Sequence, residues 1–381
     1  MGRKPEKKAT IADVASLAGV HTATAGRVLG GYGYASEKIK ATVQRAAEQL
    51  GYSPNLLARG LITGKTRTIG VVAGDIQNQF YSSILRGISD VARAEGFGVL
   101  LTNSDERLDL ELEAVKLLRE KQVDGLIVAP CDTRTSDHLH LALRHGCPVV
   151  QIDRAVRGLP ADSVAVDNRA ASRVATARLI AAGHRRIAFL AELEQWEAGD
   201  LTAFVGAATA GALDPAALFP SWQRLLGYIE AQATAGIDVD PRMILRVGTY
   251  SIAAAKAQVL AALSGAERPT ALFTADGSMT AAAVDAITRL EIRIPEDLSL
   301  IGFDDLDWMR FYRPPITAIA QPLTMIGEAA ARLMLDRIAG NRDAPQHLAL
   351  MPELVERETI SAAAQGSRSL AEAVSPEAVN Q

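Results

Sequence analysis

From Thr68 to about Ile360 the chain alternates short, continuous apolar runs with stretches of helical periodicity, and this alternation constrains its fold more than any other feature. The apolar runs are TIGVVA, GVLLT, GLIVA, PVVQID, SVAV, RIAFL, MILRV, ALFTA, LSLIGF and TAIA. Helix-period patterns lie near 80–95, 108–121, 168–182, 222–235, 251–263, 280–290 and 325–339. Runs that are apolar at successive positions predict strands buried on both faces, as in parallel sheets covered by helices on either side. Nearly 300 residues is more than one core usually sustains, so two lobes with a cleft between them are expected. In such folds ligands sit beyond the carboxyl ends of the strands.

What precedes this α/β body is different in kind. The whole chain of 381 residues has a formal net charge of −4, but residues 1–67 hold 11 Lys and Arg against 4 acidic residues. The head is therefore +7 and the remainder −11, an asymmetry that suits a basic module meeting a polyanion and an acidic body kept away from it. Cys131 and Cys147 make neither a disulfide framework nor a zinc site. No apolar run reaches the ~20 residues that span a bilayer, and the basic start leads into alternating polar sequence instead of a signal-peptide core. No membrane association, no metal and no cofactor are expected, and the cytoplasm is the expected compartment.

Within the head, Thr10 precedes Ile11–Ala18 with Asp13 placed to close a capping box. Ile11, Val14, Ala15 and Ala18 form one apolar side. Gly19 supplies a tight turn, and Val20, Thr24, Ala25, Val28 and Leu29 follow at helical spacing. A third helix is capped by Ser36, presents Ile39, Val43, Ala46, Ala47 and Leu50, and stops at Gly51. Helix, short glycine turn, helix is the unit whose second helix enters the DNA major groove, although a bare helical hairpin is as often a plain packing unit.

Motif order separates these readings. The run TIADVASLAGVHTATAGRVLGG, followed by YASEKIKATVQRAAEQLGYSPNLLARGL, resembles the headpiece and hinge of the LacI/GalR family of transcriptional regulators. The resemblance implies a helix-turn-helix headpiece over 1–53 with a basic arm at 1–9, and a hinge helix and linker over 54–67. It implies that Thr22, Ala23 and Arg27 face base edges and that Thr10, Thr24, Asn55 and Arg59 lie near the DNA backbone. Ala58 and Leu61 would stand in the minor groove, Leu61 as the wedge that opens a base step; the plain alternative for Leu61 is linker core. Arg27 is chemically suited to a bidentate bond with guanine O6 and N7, the alternative being a phosphate contact that positions without reading. The chain departs from the family pattern where His21 replaces Ser and Ala25-Gly26 replaces Val-Ser. His21 is expected to be a poorer helix cap, and Gly26 costs about 1 kcal/mol relative to Ala in a helix interior.

The body continues the resemblance in family order through GDIQNQFY, QVDGLIVAP, PVVQIDR, VAVDN, AAGHRRIAFL, RPTALFTAD, IPEDLSLIGFDD and RPPITAIAQP. It implies a periplasmic-binding-protein-like effector-binding and dimerisation domain over 68–361. Lobe one is expected from about 68–164 and 300–321, lobe two from about 165–299 and 322–361. The Ala-, Ser- and Gln-rich segment 362–381 reads as a disordered tail without a heptad, which favours a dimer over a tetramer. By position, the resemblance assigns Phe80, Tyr81, Asp153, Arg224, Tyr250 and Asp276 to the effector cleft. Carboxylates and a guanidinium would bond vicinal hydroxyls, and aromatic faces would stack on a sugar ring. Plainer roles stand beside these: Asp153 and Asp276 as helix caps, Phe80 and Tyr250 as core, Arg224 as an ion-pair partner. Ala275 stands where the family has Asn. The stretch from Ala191 to Arg224 is about twenty residues longer than the pattern implies, adding Trp196, Phe204, Phe219 and Trp222. A lid, a partner surface and a plain excursion are the three readings of that insertion.

The expected function is a ligand-controlled repressor that binds a palindromic double-stranded operator as a homodimer, with a small molecule, by family default a sugar or sugar derivative, in the cleft. The alternative is a solute-binding protein of a transport system, which the basic head and the missing signal segment oppose. No P-loop, nucleophile elbow or metal-spaced His/Cys cluster occurs, so an enzyme is not expected.

Overall fold

A computed structural model describes residues 9–30, 33–52, 65–193 and 200–363. The head is three helices, α1 (Ile11–Leu17), α2 (Thr22–Gly30) and α3 (Glu37–Gln49). The capping box forms: Asp13 Oδ2 accepts the Thr10 N–H at 2.8 Å, and Thr10 Oγ1 accepts the Asp13 N–H at 3.4 Å. Gly19 takes φ +63°, the left-handed conformation that lets α1 turn into α2. The shared core is Val14, Ala15, Ala25, Val43, Ala46 and Ala47. Ile39 and Leu50, expected inside, are 36% and 37% exposed; three short helices enclose only small residues at their centre, and the longer side chains flank it.

The body is two six-stranded sheets. In chain order its elements are β1 (Thr68–Ala73), α4 (Gln79–Ala94), β2 (Gly98–Asn103), α5 (Leu108–Glu120), β3 (Gly125–Val128), α6 (Asp137–Arg144), β4 (Val149–Ile152) and β5 (Asp162–Val166). These are followed by α7 (Asn168–Ala181), β6 (Ile187–Ala191), α8 (Leu201–Thr209), α9 (Pro220–Thr234), β7 (Ile244–Arg246), α10 (Ile252–Ser264), β8 (Ala271–Thr274) and α11 (Gly277–Arg289). The last are β9 (Ser299–Phe303), α12 (Asp307–Phe311), β10 (Thr317–Ala320), α13 (Leu323–Ala339), β11 (His347–Leu350) and β12 (Glu353–Val355). The first sheet has the order β11-β5-β4-β3-β1-β2 and the second β12-β10-β9-β8-β6-β7. All pairings are parallel except the antiparallel β10–β12 pair. Apolar clusters pack on both faces of each sheet, as continuous apolar runs require.

Strand pairing corrects the expected division of the lobes. The segment 300–321 carries β9 and β10, which lie in the second sheet, while α13 and β11 from 322–361 belong to the first. The chain therefore crosses between lobes after β5, after β10 and between β11 and β12. The return of α13 to lobe one depends on two glycines. A Cβ at Gly87 of α4 would collide with the Thr324 carbonyl, and one at Gly327 of α13 with the Ile84 carbonyl. The two backbones approach so closely that no larger residue fits. One apolar run also departs from expectation: β2 is an edge strand, and its Leu100 and Leu101 are exposed.

Replacing Gly327 with Ala should therefore overpack the α4–α13 contact. A loss of about 1–3 kcal/mol in urea or thermal unfolding is expected, and an unchanged midpoint would show that the helices separate without cost.

Candidate functional site

The carboxyl ends of the two sheets face each other across a cavity of about 340 Å³, within the size range of small-molecule sites. All six residues that the sequence assigned to the cleft, Phe80, Tyr81, Asp153, Arg224, Tyr250 and Asp276, line it. Several plainer roles hold at the same time. Phe80 and Tyr81 also belong to the lobe-one core, with their rings edge to face at 4.9 Å. Asp276 is the N-cap of α11, its Oδ1 accepting the N–H groups of Ser278 at 2.7 Å and Met279 at 2.9 Å. Asp153 is not a cap; it pairs with Arg154.

The lobe-one wall is a bonded network. Arg154 donates from Nε to Asp153 Oδ2 and from one Nη to Glu106 Oε2, both at 2.9 Å, and from the other Nη to the Tyr81 hydroxyl at 3.2 Å. Tyr81 in turn donates to Glu106 Oε1 at 2.6 Å. Burial pushes the Tyr81 hydroxyl and the Asp153 carboxyl upward, the latter against the pull of Arg154 and then Arg224. Across the cleft, Phe219 lies under the Arg154 guanidinium at 4.2 Å from its ring centroid, so a cation–π contact joins the lobes.

The lobe-two wall is organised around Arg224 of α9. Its Nε donates to Asn168 Oδ1 at 2.7 Å and one Nη to the Ala275 carbonyl at 2.6 Å, while its plane covers Phe303 at 3.8 Å. Where the family pattern has Asn, this chain thus contributes the backbone oxygen of Ala275. Burial pushes the Asp276 carboxyl up to about 7, with the charges of Glu192 and Asp304 adding to the rise and the Met279 N–H and Arg224 opposing it.

Sequence reasoning missed Glu106, Arg154, Glu192 and Asp304 as cavity residues. Each lies within a few positions of a strand's carboxyl end, after β2, β4, β6 and β9, which is the signal that could have found them. Asp153 and Asp304 also share φ values of +69° and +71°, a strained turn in which each strand hands its next side chain to the cleft. In the Asp304-Asp305 pair only Asp304 lines the cavity; Asp305 is bound by Arg357 and Arg310. Cys131 is a lining residue whose thiol burial pushes up to about 12, so it stays protonated at neutral pH.

The described part of the insertion resolves into structure. Phe204 of α8 and Trp222 of α9 pack in the lobe-two core with centroids 4.7 Å apart, and Phe219 stands at the cleft. Trp196 lies outside the described residues.

On the head, Thr22, Ala23 and Arg27 are exposed along α2, the first two in its opening turn. Contrary to expectation, His21 does serve the start of this helix: its Nδ1 accepts the Ala23 N–H at 3.3 Å, and its carbonyl accepts from Thr24 and Ala25. Thr24 is half-buried, with its hydroxyl accepting from Arg27 at 3.3 Å. The Thr10 hydroxyl is engaged with Asp13 at 2.7 Å. Asn55, Ala58, Arg59 and Leu61 lie outside the described residues, as do the basic arm through Lys8 and the tail from Ala364. Among the described residues no helix is long and apolar enough to cross a membrane, and no group of three His, Cys, Asp or Glu is placed to hold a metal ion.

A raised carboxyl pKa stabilises the fold below the unfolded value of 3.8, and that contribution is lost as pH rises through about 7. Asp276→Asn keeps an acceptor for the cap but removes the titration. The variant's melting temperature relative to the parent should therefore be higher at pH 8 than at pH 5. Parallel melting curves for the two proteins across this range would refute the buried, repelled carboxyl.

Comparisons with known proteins agree with this geometry. The family profile "Bacterial regulatory proteins, lacI family" matches residues 10–55, "Periplasmic binding proteins and sugar binding domain of LacI family" matches 66–203, and "Periplasmic binding protein-like domain" matches 176–360. The HTH-type transcriptional repressor PurR of Vibrio atlanticus is 31% identical over 353 residues, 92% of this chain and 98% of that protein. Among solved structures, the lac repressor dimer bound to operator and the anti-inducer ONPF superposes with a TM-score of 0.75 at 26% identity, covering 93% of this chain and 100% of that one. The transcriptional regulator CelR–cellobiose complex gives 0.64 at 29% identity, covering 92% and 99%. These likenesses favour a regulator over a transport solute-binding protein and exclude an enzyme of the usual α/β kind. The chain belongs to the LacI family of bacterial transcriptional repressors.

Proposed function

We propose that the protein binds a palindromic operator as a homodimer and is released from it, or locked onto it, by a small polar effector in the inter-lobe cleft. The observation that carries this reading is the pairing of two sites in one chain: an exposed Thr22-Ala23-Arg27 edge on a helix-turn-helix, and a cavity walled by both lobes. The relatives point the same way, since one solved neighbour is a dimer on its operator and another holds cellobiose. A ligand that touches both walls binds one lobe arrangement better than another, and that difference in affinity is the free energy available for control. Asn55, Ala58, Arg59 and Leu61 are assigned to the hinge on resemblance alone.

Two exposed features support the dimer. Leu100 and Leu101 lie on the edge strand β2, and Leu112 and Leu117 on α5, which packs beside it. An edge strand with exposed leucines next to an apolar helix face is a surface that soluble proteins normally cover.

On an operator selected in vitro, Arg27→Ala should reduce discrimination against scrambled DNA by about 1–3 kcal/mol while lowering non-specific binding much less. Fluorescence anisotropy that finds discrimination intact would assign Arg27 to phosphate. Leu117→Glu should shift the sedimentation profile towards monomer and weaken operator binding by about tenfold or more, because two tethered heads become one. A variant that stays dimeric would place the interface elsewhere.

A further inference from the structure

The two walls of the cleft are not equally balanced in charge. On lobe one, Arg154 is enclosed by Asp153, Glu106 and the Tyr81 hydroxyl, and its charge is satisfied there. On lobe two, three carboxylates stand together on adjacent strands. The register pairs Leu190 with Thr274 and Phe273 with Ile301. Carried on past the strand ends, the first pairing brings Glu192 beside Asp276, and the second brings Asp276 beside Asp304. Neighbouring strands are about 4.8 Å apart, so the three residues form a row along the sheet edge, and all three line the cavity.

Little within the protein balances that row. Arg224 has committed its Nε to Asn168, one Nη to the Ala275 carbonyl and its face to Phe303. Asp276 accepts from two backbone N–H groups, and Asp304 accepts from Gly277 N at 3.2 Å and Gln321 Nε2 at 2.5 Å. These neutral donors satisfy lone pairs and leave the charges uncompensated. The rise of the Asp276 carboxyl is the cost of that arrangement.

A second observation points to a ligand. Ser221 lines the same cavity, is only 3% exposed, and its Oγ has no hydrogen-bond partner among the described residues; the buried Oε1 of Gln321, also in the lining, has none either. Buried polar atoms of this kind normally find a partner. No three acidic or His/Cys groups among the described residues are placed to hold a metal ion, so the complementary charge is larger and more diffuse than a bare cation. The Tyr250 ring, on the same wall, offers an aromatic face of the kind that favours organic ammonium.

We infer that the ligand of this cleft is a polyhydroxylated small molecule bearing a protonated amine, with its ammonium seated on Glu192, Asp276 and Asp304. Ser221, Gln321 and Arg224 are then placed to meet hydroxyl groups. The inference rests on the proposed role of the cleft and names the chemistry of its ligand.

The test uses the full chain, melted at about pH 7 and constant ionic strength with two pairs of probes that differ in charge and little in shape. Tris cation is set against pentaerythritol, and D-glucosamine against D-glucose. The ammonium member of at least one pair should raise the melting temperature with dose while its neutral partner does not. In Glu192→Gln and in Asp276→Asn the concentration needed should rise by about tenfold or more, as expected for loss of a buried charge pair. Equal or greater stabilisation by the neutral members, no shift with any of the four, or ammonium stabilisation that persists in both variants would each overturn the inference. Operator binding measured with the same probes separates it from the reading it rests on. A neutral sugar that stabilises and alters operator affinity refutes the ammonium seat and leaves the cleft as the control site. An ammonium that stabilises without altering operator affinity supports the seat and refutes control through this cleft.

Discussion

Parallel strands buried on both faces deliver the residues that follow them to one edge of the sheet, and here two such edges face each other across a narrow gap. Everything polar that the chain places after a strand is thereby driven into a shared, poorly solvated space. Asp153, Glu106 and Arg154 on one edge and Glu192, Asp276 and Asp304 on the other occupy the cleft for this reason before any ligand is considered. The left-handed turns at Asp153 and Asp304 are the local cost of aiming a side chain into that gap from the last residue of a strand. Burial then does the rest, since a carboxylate held among others in a low-dielectric gap becomes a site of stored electrostatic tension.

The same constraint explains how the lobes are tied together. Three crossings of the chain lie beside the cleft, and the return of α13 to lobe one is held by helices whose backbones meet at Gly87 and Gly327. Rigid packing within lobe one and rigid packing within lobe two leave the crossings as the places where relative motion is absorbed. Between the edges, the stack of Arg154 on Phe219 is a direct protein contact across the gap. Phe219 comes from the insertion that distinguishes this chain from its family pattern. The body of that insertion, Phe204 and Trp222, is ordinary core; its functional content is confined to its last aromatic residue.

Much of this was legible in the sequence, and the parts that were not have a common cause. Continuous apolar runs identify buried parallel strands, and the six cleft residues placed by resemblance all reach the cavity, because position relative to a strand end is a local property. Lobe membership is not local. Whether β9 pairs with β8 or with a strand of the first sheet is decided by long-range packing, so 300–321 and 322–361 were expected in the wrong lobes. The exposure of Leu100 and Leu101 was hidden in the same way, since an edge strand and a central strand can carry the same apolar run. His21 failed as a prediction for a different reason: cap rankings concern hydroxyls and carboxylates, and here an imidazole nitrogen accepts the bond that a serine oxygen would.

Charge separates the molecule into parts that answer to different partners. The basic head of +7 and the body of −11 orient the chain on a polyanion, because the field of the body opposes approach while that of the head favours it. Some of the body's negative charge is not on its surface, however. The carboxylates in the cleft are buried, hence less screened by salt than the exposed ones and less able to repel DNA at a distance. Their charge acts on whatever enters the gap. The acidic surplus therefore divides into a solvated share that sets orientation and a buried share that sets ligand preference, and the second can change by single substitutions without altering the first.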